Sequence, residues 1–120
     1  MAKRVPFIHS FYARCTNATE QRFTLSLLGP QYLRCLQHVS VMNKTGAATA
    51  LQLGLKRGSE DAVLGRTTAL GGGKSYELTK PVYVPGDWQP YVAFVGATAA
   101  DELYATFCGY VTEVADVGGS

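Results

Sequence analysis

A period of two in the middle of the chain constrains its fold more than any other feature. Val39 and Val41 alternate with Ser40 and Met42, and Leu51, Leu53 and Leu55 alternate with Gln52 and Gly54. Successive side chains of a strand point to opposite faces, so each run is a strand with one aliphatic face to bury. Between the runs stands Asn43-Lys44-Thr45-Gly46. Asn bonds its own backbone two residues on and Gly accepts a positive φ, so the spacing predicts a hairpin from Val39 to Leu55. Its aliphatic face needs a second sheet to cover it.

The same period recurs along the chain. Phe7, His9, Phe11, Ala13 and Cys15 share one face and Ile8, Ser10, Tyr12 and Arg14 the other. The first set is the more apolar and is expected inside. Phe23, Leu25 and Leu27 form a second strand that Gly29-Pro30 stops. From Tyr32 to Asn43, Leu33 and Cys35 are in phase with Val39 and Val41, whereas Gln37 interrupts and Leu36 falls on the opposite face. A bulge near Leu36-Gln37 reconciles them. Lys56 to Asp61 reads as a charged loop around Gly58, and Ala62 to Leu70 as a weak strand. Tyr76 and Leu78 alternate with polar neighbours, and Pro81 to Pro85 reads as an extended edge because proline donates nothing to a ladder. Tyr91 to Gly96 and Leu103 to Val114 are the last two strands. In the final one Leu103, Ala105, Phe107, Gly109 and Val111 form one face.

No helical stripe interrupts this pattern. The expected fold is all-β, an antiparallel β-sandwich, jelly-roll-like, with about eight strands. A basic N-terminal arm over residues 1–6, the sandwich over 7–114 and a flexible, glycine-rich tail over 115–120 complete the expected organisation.

A length of 120 residues allows one domain with one core. Eleven basic and nine acidic side chains leave a formal charge of +2, too weak a field to hold a phosphate backbone. No run approaches the ~20 apolar residues of a membrane span, and no secretory signal stands at the start. The partners expected therefore include no nucleic acid and no membrane. Cys15, Cys35 and Cys108 are odd in number and lack metal-ligand spacing, so they read as buried free thiols.

Familiar chemistry is thin. Gly71-Gly72-Gly73-Lys74-Ser75 ends as a phosphate-binding loop ends, but Thr68 stands where that loop needs a glycine, and a strand-like Tyr76-Glu77-Leu78 follows instead of a helix. His9 and His38 have no further ligand at metal spacing, and zinc needs three or four. Glu60-Asp61 and Asp101-Glu102 read as solvated loop charges. No strand-turn-helix elbow presents a nucleophile. No catalytic, cofactor-binding or metal residue is expected, and no enzymatic activity. Surface remains. Trp88 lies beside the turn Pro85-Gly86-Asp87 with Tyr83 and Tyr91 nearby, either as an anchor for a partner or as a cover folded over the end of the core.

Four places carry a resemblance: Asn43 with Lys44-Thr45-Gly46, the answering Leu51-Gln52-Leu53-Gly54-Leu55, the approach Val84-Pro85-Gly86-Asp87 to the penultimate strand, and the closing Phe107-Cys108-Gly109-Tyr110-Val111. Over residues 23–113 the layout resembles small β-sandwich virion proteins of tailed bacteriophages, the head-decoration or cement proteins and related capsid, neck or tail accessory proteins. It departs from them in Trp88-Gln89-Pro90, which thickens a turn, and in the extension from Met1 to Cys15. The resemblance implies a non-enzymatic capsid decoration protein, made in a host cytoplasm and located in the virion. It implies binding to the major capsid protein or another virion protein, as a homo-oligomer with a trimer favoured, stabilising the shell by bridging subunits. The contact residues expected on this reading are Lys3 and Arg4 of the arm, Phe7 at the start of the sandwich, and Tyr83, Asp87, Trp88 and Tyr91 at the turn. The competing expectation is a carbohydrate- or receptor-binding module, tail-associated or soluble, in which Trp88, Tyr83 and Asp87 stack on and bond a sugar.

Overall fold

A computed structural model describes residues 4–16, 20–44, 49–70, 74–97 and 100–114. It contains nine strands: β1 (Arg4–Arg14), β2 (Gln21–Thr24), β3 (Tyr32–Asn43), β4 (Thr49–Arg57), β5 (Glu60–Leu70), β6 (Ser75–Leu78), β7 (Val82–Pro85), β8 (Gln89–Val95) and β9 (Glu102–Glu113). No helix is present among the described residues.

The strands form two antiparallel sheets. One runs β1-β9-β3-β6 with β7 also on β3, and the other runs β2-β8-β4-β5. Counting β6 and β7 as one broken strand gives eight, in the order of two interlocked Greek keys, which is a jelly roll. The break has a local cause. β6 pairs with Val39–Met42 and β7 with Leu33–Leu36, so the gap between them falls opposite Gln37 and His38. The register of β3 against β9 shifts at the same place, between Leu36 and His38. The bulge expected near Leu36-Gln37 is therefore present, and Pro81, with no N–H to donate, stands in the gap.

That bulge also decides what β3 buries. Ahead of it Arg34 and Leu36 point inward, and beyond it Val39, Val41 and Asn43 do, all 5% exposed or less. Leu33 and Cys35 are thus on the outward side, contrary to the expected phase, although Cys35 is covered there. The core is closed by Phe23, Leu51, Leu53, Val84, Val92, Phe94, Leu103, Ala105 and Phe107, with Phe7, Phe11 and Trp88 packed against it. Each large aliphatic or aromatic side chain so buried contributes about 1.5–3 kcal/mol.

The hairpin expected from Val39 to Leu55 does not form. Both strands exist, but β3 lies in one sheet and β4 in the other, so the chain arches between layers after Asn43. Residues 45–48 lie outside the described ones. Alternation shows that a strand has an inward face, and β3 and β4 satisfy it from opposite sides of one core. The hairpin in this region is β4–β5, where Arg57 pairs with Glu60. Gly58 has φ +59°, and a two-residue Gly-Ser connection with positive φ at its first position fits the twist of the flanking strands. The stretch expected to be a charged loop is this tight turn.

Two further boundaries differ. β1 begins at Arg4, with Arg4, Val5 and Pro6 paired to Thr112, Val111 and Tyr110, so these residues are strand, not arm. Met1 to Lys3 and residues 115–120 lie outside the described residues. β2 ends at Thr24, and Leu27, expected inside, is 57% exposed.

Candidate interaction surface

The outward face of the larger sheet follows from the register. Across β1 and β9 it pairs Pro6 with Tyr110, Ile8 with Cys108, Ser10 with Thr106 and Tyr12 with Tyr104. β3 extends these rows with Cys35, His38, Ser40 and Met42, and β7 adds Tyr83 beside Cys35. Apolar and aromatic side chains stand open to solvent in three of the four rows: Ile8 is 77% exposed, Tyr83 61% and Tyr12 51%. Their shared face makes this sheet the candidate interaction surface.

Polar contacts fix the face without covering it. The Tyr12 and Tyr104 rings lie 4.9 Å apart, and the Tyr12 hydroxyl donates to Glu102 at 3.3 Å. Arg14 and Lys44 also reach Glu102, at 4.0 and 3.9 Å. Ser10 and Thr106 hydroxyls bond at 3.2 Å. The His38 imidazole meets Glu77 at 2.8 Å, a carboxylate that strand pairing supplies from distant sequence. The Arg4 guanidinium sits 4.6 Å over the Tyr110 ring. Hydrogen bonding with the Cys35 thiol, then burial, then bonding with Tyr83 push the Tyr110 phenol above its usual range. Among the expected contact residues, Arg4 and Tyr83 are therefore brought together around Tyr110.

The others separate. Phe7 faces inward and packs against the core, while Lys3 lies outside the described residues. Trp88 is half-buried on the core, and the Arg57 guanidinium lies 4.7 Å over its ring. Arg57 is itself held by Glu60 at 2.8 Å and Asp87 at 3.2 Å. Those two hydrogen bonds, Glu60 first, raise the Arg57 pKa further. Trp88 is a cover under an ion-paired lid, and Asp87 belongs to that lid.

Tyr91 is no anchor: it is fully buried. It lies on the outer side of the smaller sheet over Gly54, where a Cβ would fall 2.8 Å from the phenol oxygen and from the Ala62 carbonyl. Arg22 covers the ring at 4.2 Å. The Tyr91 hydroxyl accepts from Gln52 at 2.6 Å and donates to Asp61 at 2.7 Å. Burial first, and the bond to Asp61 second, raise the Tyr91 pKa. A polar ring needs both a gap to lie in and partners for its oxygen, and neither is visible from the residue's own neighbours in sequence.

The acidic pairs are also spoken for. Glu60 and Asp61 open β5 and hold Arg57 and Tyr91. Asp101, expected in solvent, is 7% exposed and accepts from the Asn43 side chain at 3.0 Å. Asn43, a turn residue by sequence, is fully buried at the end of β3. The backbone locks the same corner: Cys15 donates to the Asp101 carbonyl at 2.8 Å and Ala100 to the Cys15 carbonyl at 2.9 Å. Ala100 has φ +72°. Arg34 was missed by sequence reasoning altogether. The bulge turns it inward to 5% exposure, where its Nη2 donates to the Ser26 carbonyl at 3.0 Å and burial lowers its pKa.

No group of three or more potential metal ligands is present among the described residues. A cleft of about 150 Å³ lined by Ala50, Leu51, Gln52, Arg66, Thr67 and Val95 is smaller than the ~300 Å³ from which small-molecule sites begin. Neither a family model nor a curated protein matches the chain. Among solved structures, the chain is similar to one in the structure of infectious bursal disease virus Gt strain, with 10% identity, a TM-score of 0.41, and coverage of 92% of this chain and 32% of that one. For the Gx strain of the same virus the figures are 9%, 0.35, 95% and 42%. The chain spans about a third of the length of the first and two fifths of the second. Likeness this remote carries neither a family nor a function.

Proposed function

We propose that this chain is a non-enzymatic structural component of a virion, a decoration or cement protein that binds an assembled phage head and stabilises it by bridging subunits. The observation that carries the reading is the outward face of the β1-β9-β3-β7 layer, where Ile8, Tyr12 and Tyr83 stand more than half exposed on a rigid sheet. A fixed face of rings and aliphatics favours a protein partner, because little conformational entropy remains to be lost on docking. The jelly roll itself serves capsid and lectin domains alike and does not choose between them. The resemblance in turn and strand layout inclines the reading to the virion. On this view each copy makes a modest contact and the shell gains by multiplicity. The glycan alternative has less support, since Arg57 and the core occupy the Trp88 ring.

The test is density-gradient purification of particles from the source culture, with the copy number of this chain measured by mass spectrometry. Hundreds of copies per particle are expected. A handful would move it to the neck or tail, and absence from the particle band would remove the virion reading. Tyr83→Ala, at an exposed position, should keep the fold and lose attachment if this face docks.

A further inference from the structure

Two open sheets have four edges, and three of them are blunted. β2 has four residues. β6 and β7 have four each, and Pro81 and Pro85 flank or end β7. β5 is long, but it carries Glu60, Asp61 and Arg66, and its register against β4 shifts twice. Short length, proline, charge and bulges are the devices that stop a sheet edge from recruiting another strand.

β1 lacks them over most of its length. It pairs with β9 without a shift from Arg4 to Arg14, and its outer side has no partner strand in the sheet. Pro6 removes one donor near the start. From Phe7 to Ala13 there is no proline, no glycine and no formal charge. That is the composition of a segment that adds strands readily.

We propose that the β1 edge is the site at which a second copy of this chain joins, antiparallel and about a two-fold axis at Ser10, to make one continuous sheet across two sandwiches. Three features favour a second copy over a foreign strand. First, the uncharged segment pairs wholly with itself in this register. Ile8 then faces Tyr12 of the other copy twice, so two of the most exposed apolar side chains cover each other. Second, the charges agree. Each Arg14 meets Pro6 and keeps its own Glu102 at 4.0 Å, and the Arg4 of the other copy that lies diagonal to it is held over its own Tyr110 ring at 4.6 Å. A parallel pairing in register would set arginine against arginine. Third, the area suffices. β2 lies directly beneath β1, with the Phe11 and Phe23 rings stacked at 5.2 Å, so both sheets contribute to this side. Nine paired residues span about 30 Å, and with a short axis of 20 Å the side offers about 600 Å² per copy, or about 1,200 Å² in total, the lower end of the range for specific interfaces. The inference rests on the edge alone and stands or falls apart from the virion reading.

Sedimentation velocity of the full chain over a concentration series tests it, with Ile8→Lys as the variant. At 77% exposure Ile8 contributes little to the fold, whereas lysine there loses the Tyr12 contact and comes diagonal to Arg14 of the other copy. The wild type is expected to dimerise and the variant to dimerise at least about tenfold more weakly, with unchanged circular dichroism. A wild type that stays monomeric, or a dimer that Ile8→Lys leaves intact, overturns the proposal. Should Ile8→Lys fail to fold, Ser10→Cys in a Cys108→Ser background decides. The new thiols face each other at the two-fold axis, so oxidation must yield a covalent dimer, and its absence overturns the proposal.

Discussion

The Tyr91 hydroxyl shows how much one atom's surroundings matter. It is buried, it donates to Asp61 and it accepts from Gln52. Tyr91→Phe removes both bonds and leaves Asp61 and Gln52 short of a partner each. The expected cost is about 1–3 kcal/mol, read from denaturant unfolding. The same residue gives a pH dependence. Because the folded-state pKa is raised above the ordinary value of 10.0, the folded state holds the proton more tightly than the unfolded one. Its contribution is fully present below pH 10 and is lost as pH rises through the folded pKa. Stability of the wild type should therefore fall in that alkaline window. In Tyr91→Phe the fall should be smaller, leaving what Tyr110, raised for its own reasons, supplies. An identical alkaline slope in both would contradict the assignment.

At the scale of the element, Gln37 is the residue on which β3 turns. It is the extra residue that lets Arg34 and Leu36 share the inner face with Val39 and Val41. Deleting it leaves only His38 between Leu36 and Val39, the spacing of Gly109 and Phe107 on β9, so plain alternation keeps Arg34, Leu36, Val39 and Val41 on the inner face. The deletion is therefore expected to fold, with a loss in denaturant unfolding well below the about 3–6 kcal/mol that two displaced core residues would cost. Gln37→Ala keeps the residue count and, at an exposed position, should lie within about 0.5 kcal/mol of the wild type. A deletion variant that loses about 3–6 kcal/mol or more would show that the bulge itself, and not the parity of the strand, keeps these residues inside.

At the scale of the whole molecule, stability rests on the packed layers and not on covalent staples. Cys15, Cys35 and Cys108 are free, the first two buried and the third partly exposed. A thiol reagent should modify Cys108 in the folded protein and reach all three cysteines only after unfolding. The melting temperature should be the same with and without a reductant. Rapid modification of all three under native conditions would mean that the sandwich opens far more readily than its core indicates.

The alternation of apolar and polar residues determined by itself that the chain is all-β, where most strands run and which face of β9 is buried. Local sequence also held the bulge, since Leu36 and Val39 cannot both point inward without an extra residue between them. Gly58-Ser59 is equally legible as a two-residue turn, since glycine supplies the positive φ that its first position needs. Strand partners were not legible. A period of two says that a face must be buried and is silent on which sheet buries it, so Val41 and Leu53 meet the same core from opposite layers. The burial of Tyr91, Asn43, Asp101 and Arg34 was likewise decided by tertiary structure. Each of these polar groups lies inside with a partner brought from another element or loop: Asp61 and Gln52, Asp101, Asn43, and the Ser26 carbonyl. Hydrophobicity is a property a residue carries alone, whereas a satisfied buried hydrogen bond belongs to a pair, and the pair exists only once the sheets have closed.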